Sequence, residues 1–231
     1  MPINLDESYR ICEQITRDRA KNFYFAFRTL SRRHRLAICA VYAFCSLCDD
    51  IADEDLPLEI RQERISQIRN SLSGLKETRF SDPVFIALSH TSTIFRIPVS
   101  YFEEVVEGIE LDFVKTRYHN FDELKEYCYK VASVVGLIGI KVFGYEGQSA
   151  IGYATDFGLA MQLTNILRDI KEDASRGRIY LPLDEMRSFE YCEEDLISGV
   201  TNEQFKSLMR FQISRARKYF DNGRKLMRFL P

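Results

Sequence analysis

The stretch from residue 162 to residue 180 reads Gln162-Leu-Thr-Asn-Ile-Leu-Arg-Asp-Ile-Lys-Glu-Asp-Ala-Ser-Arg-Gly-Arg-Ile-Tyr180. A largely apolar segment leads into it from Ala154, which predicts a long helix. Four polar residues recur at spacings that place them on one helix face: Gln162, Asn165, Asp169 and Asp173. Burying such a stripe costs free energy unless a partner pairs with it. Carboxylates one turn apart suit a hard cation such as Mg²⁺, with phosphate oxygens completing its coordination shell.

A second acidic stripe closes another apolar helix earlier in the chain. Residues 36–48 are apolar almost all round, and Asp49-Asp-Ile-Ala-Asp53 follows directly. Tyr42 and Ser46 share a helix face with the outer two aspartates of that motif. Acidic residues at a helix C-terminus oppose the helix dipole and repel one another, so a cation or ligand is expected between them. Two such stripes, expected on facing helices, predict a clamp for a metal-bound diphosphate.

Basic and aromatic residues extend this interpretation. Lys21, Arg168, Arg176 and Arg178 can neutralise the remaining phosphate charge and stabilise diphosphate as a leaving group. The segment at residues 23–27 carries four aromatic side chains, which either fill the core or form a wall of an apolar cavity with Lys21 at its mouth. A good leaving group beside a dry aromatic cavity suits ionisation of an allylic diphosphate to a carbocation, which aromatic faces stabilise.

The bulk composition narrows the class of protein. The 231 residues carry a formal net charge of -2, which does not indicate a nucleic-acid partner. Glycine and proline are sparse, which favours long helices. One all-α domain spanning residues 1–231 is therefore expected. Helix caps are expected at Asn4, Ser100, Asn120 and Thr201, and a further helix is expected to start at Asp82-Pro83. The six cysteines show no metal-site spacing and are interpreted as small core residues in a reducing compartment, which predicts a cytoplasmic protein.

Five motifs stand out along the sequence: Asn22-Phe-Tyr, Tyr42-Ala-Phe-Cys-x-x-x-Asp-Asp-x-x-Asp53, Asp112…Arg117-Tyr118, Tyr127-Cys-Tyr-x-Val-Ala132, and Gln162-x-x-Asn-Ile-Leu-Arg-Asp-x-x-x-Asp173 through Arg178-Ile-Tyr180. In their order and spacing these motifs resemble those of the squalene/phytoene synthase family. The resemblance implies an all-α isoprenoid-synthase helical bundle around a central apolar cavity. It also implies Mg²⁺-dependent head-to-head condensation of two farnesyl or geranylgeranyl diphosphates through a cyclopropyl diphosphate intermediate.

The resemblance further implies roles for individual residues. Tyr127 is the expected proton-handling tyrosine. Mg²⁺, with Mn²⁺ as an alternative, is expected at Asp49, Asp53, Asn165, Asp169 and Asp173, and the four aspartates count as catalytic. The residues expected to bind substrate are Ala20, Lys21, Asn22, Tyr42, Ser46, Gln162, Arg168 and Arg178. NADPH is not supported, because the sequence has no dinucleotide fingerprint. Peripheral contact with a membrane fits the lipophilic substrates, and the oligomeric state is left open.

Three departures from the family pattern leave alternatives open. The family usually has an arginine where Ser46 stands, a serine where Ala20 stands, and further C-terminal helices beyond Pro231. Presqualene diphosphate, squalene, dehydrosqualene and phytoene are all candidate products. A catalytically silent binding or assembly factor is favoured by the missing arginine and opposed by the four aspartates. A head-to-tail prenyltransferase or terpene cyclase also uses paired acidic motifs, but residues 162–180 argue against it.

Overall fold

A computed structural model describes residues 4–54, 56–75 and 80–231, without the side chain of Asp53. These ranges contain α-helices, one π-helical turn and one 3₁₀ helix, and the only strand-like pairing within them is an isolated bridge between Arg117 and Ile179. The all-α prediction is confirmed. The helices are α1 (Leu5–Arg19), α2 (Lys21–Phe27), α3 (Arg32–Asp53), α4 (Leu58–Ser73), α5 (Pro83–Phe95), α6 (Val99–Val114), α7 (Phe121–Cys128), the π-turn (Tyr129–Ser133), α8 (Val134–Phe143), α9 (Ser149–Ser175), α10 (Leu183–Ser188), α11 (Glu193–Ile197), α12 (Glu203–Gly223) and the 3₁₀ helix (Arg224–Arg228).

Side-chain caps explain where several helices begin. The Oδ1 atoms of Asn4, Asp82 and Asn120 accept hydrogen bonds from backbone amides in the first turns of α1, α5 and α7, at 2.8, 2.7 and 3.0 Å. The predicted caps at Asn4 and Asn120 and the predicted helix start at Asp82 are confirmed. The predicted cap at Ser100 is wrong, because α6 already begins at Val99 and Ser100 lies within its first turn. The predicted cap at Thr201 is wrong by one residue, since Asn202 Oδ1 accepts from the amide of Phe205 at 2.9 Å. Asparagine is at least as effective a cap as threonine, so the helix begins one residue later.

The chain divides into two compact units. Unit 1 consists of residues 1–110 and 138–144, and unit 2 consists of residues 111–137 and 145–231. The prediction that residues 1–231 form one synthase domain stays a prediction.

In unit 1, helices α1, α3 and α5 pack on one another around an aromatic and aliphatic core. Phe44 of α3 is fully buried and makes edge contacts with Phe85 and Phe102, at ring-centroid distances of 6.2 and 5.4 Å. The hydroxyl of Tyr9 bonds to Thr91 Oγ1 at 3.0 Å and to a ring nitrogen of His90 at 2.9 Å. These contacts fix α1 and α3, which carry the first set of candidate site residues.

In unit 2, α9 is the central helix, with α12 and the π-turn packed closely against it. Glycines make this close approach possible. A Cβ atom at Gly158 would lie 2.5 Å from the carbonyl oxygen of Ala132 in the π-turn, and one at Gly136 would lie 2.8 Å from the carbonyl oxygen of Ala154. Real Cβ atoms essentially never approach backbone that closely, so glycine is required for this packing.

None of the described helices combines the length and the apolar character that crossing a bilayer requires. The prediction that all cysteines are core residues is wrong for Cys192. This side chain is exposed, and its sulfur accepts a hydrogen bond from the amide of Asp195 at 3.4 Å at the start of α11. A polar role at a helix N-terminus therefore replaces the expected packing role at this position.

Candidate active site

The polar stripe of α9 lies where the sequence predicted it. The helix runs without interruption from Ser149 to Ser175, so the four stripe residues share one face. All four are half-buried, between a buried face that includes Leu163 and Ile166 and an exposed face that includes Arg168. Asn165 Nδ2 donates a hydrogen bond to Gln162 Oε1 at 3.4 Å. The amide oxygen of Asn165 takes no part in this hydrogen bond. The stripe thus presents oxygen atoms at the edge of the unit 2 core.

The two carboxylates of this stripe lie in different electrostatic surroundings. Asp169 forms a bidentate ion pair with Arg168, with N–O distances of 2.7 and 2.6 Å, and these hydrogen bonds hold the pKa of Asp169 below its usual value. Burial, followed by the negative charge of Asp169, raises the pKa of Asp173 to about 6. The positive charge of Arg178 opposes this shift. Asp173 is therefore a partly desolvated carboxylate beside a second one, a position that a cation would stabilise.

A buried cluster of tyrosines surrounds Asp112 near the end of α6. The hydroxyl of Tyr127 donates to Asp112 Oδ2 at 3.0 Å, and that of Tyr180 donates to Asp112 Oδ1 at 2.9 Å. The rings of Tyr127 and Tyr180 stack, with centroids 5.3 Å apart. Burial raises the pKa of both phenols, and the charge of Asp112 raises it further. Both tyrosines therefore stay protonated and are held by one carboxylate.

Tyr118 completes the cluster without joining its hydrogen bonds. Its ring lies 5.4 Å from that of Tyr127 and 5.7 Å from that of Tyr180. Its buried hydroxyl has no hydrogen-bond partner within the described part of the chain. Asp112 and Tyr180 were not among the expected site residues. Both lie within family motifs, Asp112…Arg117-Tyr118 and Arg178-Ile-Tyr180, which is the signal that could have indicated them. Their shared hydrogen bonding is seen only in the structure.

In unit 1, the second predicted stripe lies along α3. Tyr42 is half-buried, and burial followed by the charge of Asp49 raises its pKa. Asp49 is exposed. Ser46 is buried and accepts a hydrogen bond from Arg19 Nη1 at 2.8 Å, and the same guanidinium pairs with Asp50. The expected metal-binding side chain of Asp53 lies outside the described residues. Arg19, at the end of α1, was not an expected site residue.

Helix α2 carries the remaining expected substrate contacts. Ala20 precedes α2, and Lys21 and Asn22 are exposed in its first turn. None of the residues of α2 is buried, and Phe23 and Phe25 are 53% and 73% exposed. Core filling is therefore the wrong interpretation of this aromatic segment. The alternative, a wall of an apolar cavity, stays a prediction.

The donor atoms fit a cation that a substrate helps to bind. In the described ranges, no group of three or more His, Cys, Asp or Glu side chains is arranged to hold a metal ion by itself. We use the term half-site for each of two residue sets, taken by itself. One set is Tyr42, Ser46, Asp49 and Asp53 of α3, and the other is the polar stripe of α9. Each set contributes only two predicted carboxylates. Mg²⁺ commonly binds through one or two carboxylates, with phosphate and water oxygens completing its octahedral shell. The carboxylate pair of α9 has this chemistry.

Comparison with known protein sequences gives consistent matches along the chain. The family model of squalene/phytoene synthase matches residues 16–231. The phytoene synthase of Arthrospira platensis is 38% identical over 232 residues, covering 95% of this chain and 75% of that protein. The 15-cis-phytoene synthase of Synechocystis sp. is 36% identical over 239 residues, covering 98% of this chain and 71% of that protein.

Solved structures agree with the sequence matches. The squalene synthase HpnC from Alicyclobacillus acidocaldarius superposes with a TM-score of 0.92 at 26% identity, covering 100% of this chain and 87% of that one. A dehydrosqualene synthase in complex with ligand gives a TM-score of 0.90 at 30% identity, covering 98% and 79%. The predicted isoprenoid-synthase fold is thereby confirmed. The chain belongs to the squalene/phytoene synthase family and is a prenyltransferase of that type.

Proposed function

We propose that this protein joins two geranylgeranyl diphosphates head to head, in a divalent-metal-dependent reaction that passes through a cyclopropyl diphosphate and yields phytoene. The observation that carries the proposal is the carboxylate pair of α9 beside Arg168, in a chain 38% identical to a phytoene synthase. Farnesyl diphosphate and a C30 product form the nearest alternative, since a squalene synthase and a dehydrosqualene synthase share the fold.

Binding of the diphosphate is assigned to the two half-sites. Asp169 and Asp173, with the amide oxygen of Asn165, would hold Mg²⁺ at one of them, and Asp49 and Asp53 would hold it at the other. The cation supplies charge neutralisation that makes diphosphate a better leaving group. Arg168 and Arg178 add positive charge beside Asp169 and Asp173. Arginine binds phosphate oxygens in bidentate geometry. Gln162 and Tyr42 are hydrogen-bonding side chains at the edges of the same sites.

Proton handling is assigned to Tyr127. Its hydroxyl is buried, protonated and held at 3.0 Å by Asp112, which also holds Tyr180. To act on departing diphosphate, Tyr127 would transfer its one O–H hydrogen bond from Asp112 to the diphosphate, while Asp112 would keep the hydrogen bond that Tyr180 donates. The surrounding aromatic rings exclude water and offer faces that stabilise a carbocation.

Product formation from defined substrates tests the proposal. Purified protein is incubated with radiolabelled geranylgeranyl or farnesyl diphosphate, each with Mg²⁺ and with excess chelator, and the extracted lipids are separated by chain length. A C40 product that requires both geranylgeranyl diphosphate and Mg²⁺ is expected. A C30 product alone would assign the alternative, and no C30 or C40 product under any of the four conditions would overturn the proposal. Cytoplasmic location and peripheral membrane contact stay predictions.

A further inference from the structure

The hydroxyl of Tyr118 is buried on a side chain that its neighbours hold firmly. Its ring stacks on that of Tyr180 at a centroid distance of 5.7 Å, and Lys115 Nζ lies 4.9 Å from its centroid. The carbonyl oxygen of Tyr118 accepts a hydrogen bond from the amide of Leu183 at 2.9 Å. Within the described ranges, this hydroxyl is the only buried polar side-chain atom that lacks a hydrogen-bond partner. Burying a hydroxyl without a partner costs free energy, so its position calls for an explanation.

Three phenols surround one carboxylate, and two of them bind it. Tyr127 donates to Asp112 Oδ2 at 3.0 Å and Tyr180 donates to Asp112 Oδ1 at 2.9 Å. The three tyrosine rings contact one another, with centroids 5.3 to 5.7 Å apart. Burial raises the pKa of Tyr118, and the negative charge of Asp112 is the next cause, so the third phenol lies within electrostatic range of the same carboxylate.

We propose that Tyr118 is a positioning residue that donates its hydrogen bond to Asp112 when Tyr127 turns to the diphosphate. The inference rests on the role proposed for Tyr127. A phenol has one proton to donate, so a Tyr127 hydroxyl that engages diphosphate releases Asp112 Oδ2, while the proton of Tyr180 stays on Oδ1. Tyr118 then gains the partner that it lacks in the free protein.

This exchange lowers the free energy needed to release Tyr127, because Asp112 accepts two tyrosine hydrogen bonds before and after it. The side chain of Asp112 makes the adjustment, since the ring and the backbone of Tyr118 are both held by neighbours. The competing explanation is that Tyr118 only fills space in the cluster and that its hydroxyl has no part in the reaction.

Thermal unfolding of a double-mutant cycle tests the exchange without substrate. In the wild-type background, Tyr118→Phe removes an unpaired buried hydroxyl, and the melting temperature is expected to rise by about 2–4 °C. In the Tyr127→Phe background, Asp112 has lost one donor and Tyr118 takes its place. There, Tyr118→Phe is expected to lower the melting temperature by about 2–4 °C. Tyr191→Phe, which removes a hydroxyl that donates to the carbonyl oxygen of Val200 at 2.8 Å, is the matched control and should lower it equally in both backgrounds. A Tyr118→Phe effect of the same sign in both backgrounds overturns the proposal.

Binding of inorganic pyrophosphate with Mg²⁺ adds a measurement that a purely structural role would not change. Tyr118→Phe alone is expected to weaken the calorimetric affinity about tenfold, because the hydrogen bond that replaces that of Tyr127 is lost. In the Tyr127→Phe background the same change should leave the affinity within about twofold, since no exchange takes place there.

Unchanged pyrophosphate affinity in Tyr118→Phe overturns the inference even if phytoene is formed, and this criterion decides alone should Tyr127→Phe not fold. The expected melting temperatures and affinities, in a wild-type protein that makes no C30 or C40 product, would sink the proposed function and leave the exchange at Asp112 standing.

Discussion

The two half-sites share a carboxylate spacing but obtain their arginines differently. On α9, Arg168 precedes Asp169 directly in the sequence and binds it with two hydrogen bonds of 2.7 and 2.6 Å. On α3, the guanidinium that pairs with Asp50 comes from Arg19, on another helix and 31 positions earlier in the chain. The pair of Arg168 and Asp169 is local and can be predicted from the sequence motif. The pair of Arg19 and Asp50 depends on how α1 packs against α3.

The largest effect is expected at the carboxylates. Asp169→Ala removes one oxygen donor and leaves Arg168 without its partner, so kcat/KM for geranylgeranyl diphosphate should fall by about 10² to 10⁴. Glu172→Ala, an exposed acidic residue of the same helix, is the matched control and should stay within about twofold of wild type. Turnover of labelled substrate at saturating Mg²⁺ measures both. Equal activity of Asp169→Ala and wild type would remove the metal-binding role.

A second comparison concerns the tyrosines that accompany the half-sites. Tyr127→Phe removes a buried hydroxyl held by Asp112, and we expect kcat to fall about 100-fold with little change in KM. Tyr42→Phe removes a half-buried hydroxyl beside Asp49, and we expect mainly a rise in KM of about threefold to tenfold. Steady-state kinetics with circular dichroism as a folding check would measure the difference. The same pattern in both variants would show that the two tyrosines do not differ in role.

The local arginine provides a smaller test. Arg168→Ala should raise KM about tenfold, since one charged contact to diphosphate is lost, while Arg168→Lys should recover part of the affinity but not the bidentate geometry. Arg210→Ala, which removes an exposed arginine of α12 that bonds to Ser207, serves as the control. If lysine at position 168 were fully equivalent to arginine, the bidentate pair with Asp169 would not matter for substrate binding.

The smallest effect concerns stability and its dependence on pH. The pKa of Asp173 is about 6 in the folded protein against an ordinary value of 3.8, so the folded state holds its proton more tightly than the unfolded state. The stability associated with this carboxyl is fully present below about pH 4 and is lost as the pH rises through about 6.

Asp173→Asn should therefore stabilise the metal-free protein at pH 7.5 by about 1 kcal/mol after allowance for solvent screening, a rise in melting temperature of about 2–4 °C. The gain should vanish near pH 4, and excess Mg²⁺ at pH 7.5 should stabilise the wild type more than the variant. Calorimetric melting at both pH values measures this. A gain that is the same at pH 4 and pH 7.5 would contradict the assigned cause.

Sequence patterns predicted local features well and tertiary ones poorly. The α9 stripe and the caps at Asn4, Asp82 and Asn120 depend on helix periodicity and on atoms within a few residues, and all lie where expected. The guanidinium of Arg19 at Ser46 and the shared carboxylate of Asp112 join residues far apart in the chain. The sequence also left open whether α2 is buried in the core or lines a cavity, because aromatic content alone does not say which faces a short helix buries. Such contacts depend on packing, which one sequence does not specify position by position.

The glycines around α9 have a consequence for how the protein tolerates change. Gly158 and Gly136 let α9 meet neighbouring backbone at van der Waals distance, and Gly223 of α12 does the same, since its Cβ would lie 2.7 Å from the backbone of Phe157. None of the three is a candidate site residue. In a library of all single substitutions selected for pigment or product formation, these positions should nevertheless be as depleted as the aspartates. Measuring protein abundance would distinguish the two classes of variant. Glycine variants should lower the abundance of the folded protein, whereas aspartate variants should leave it unchanged.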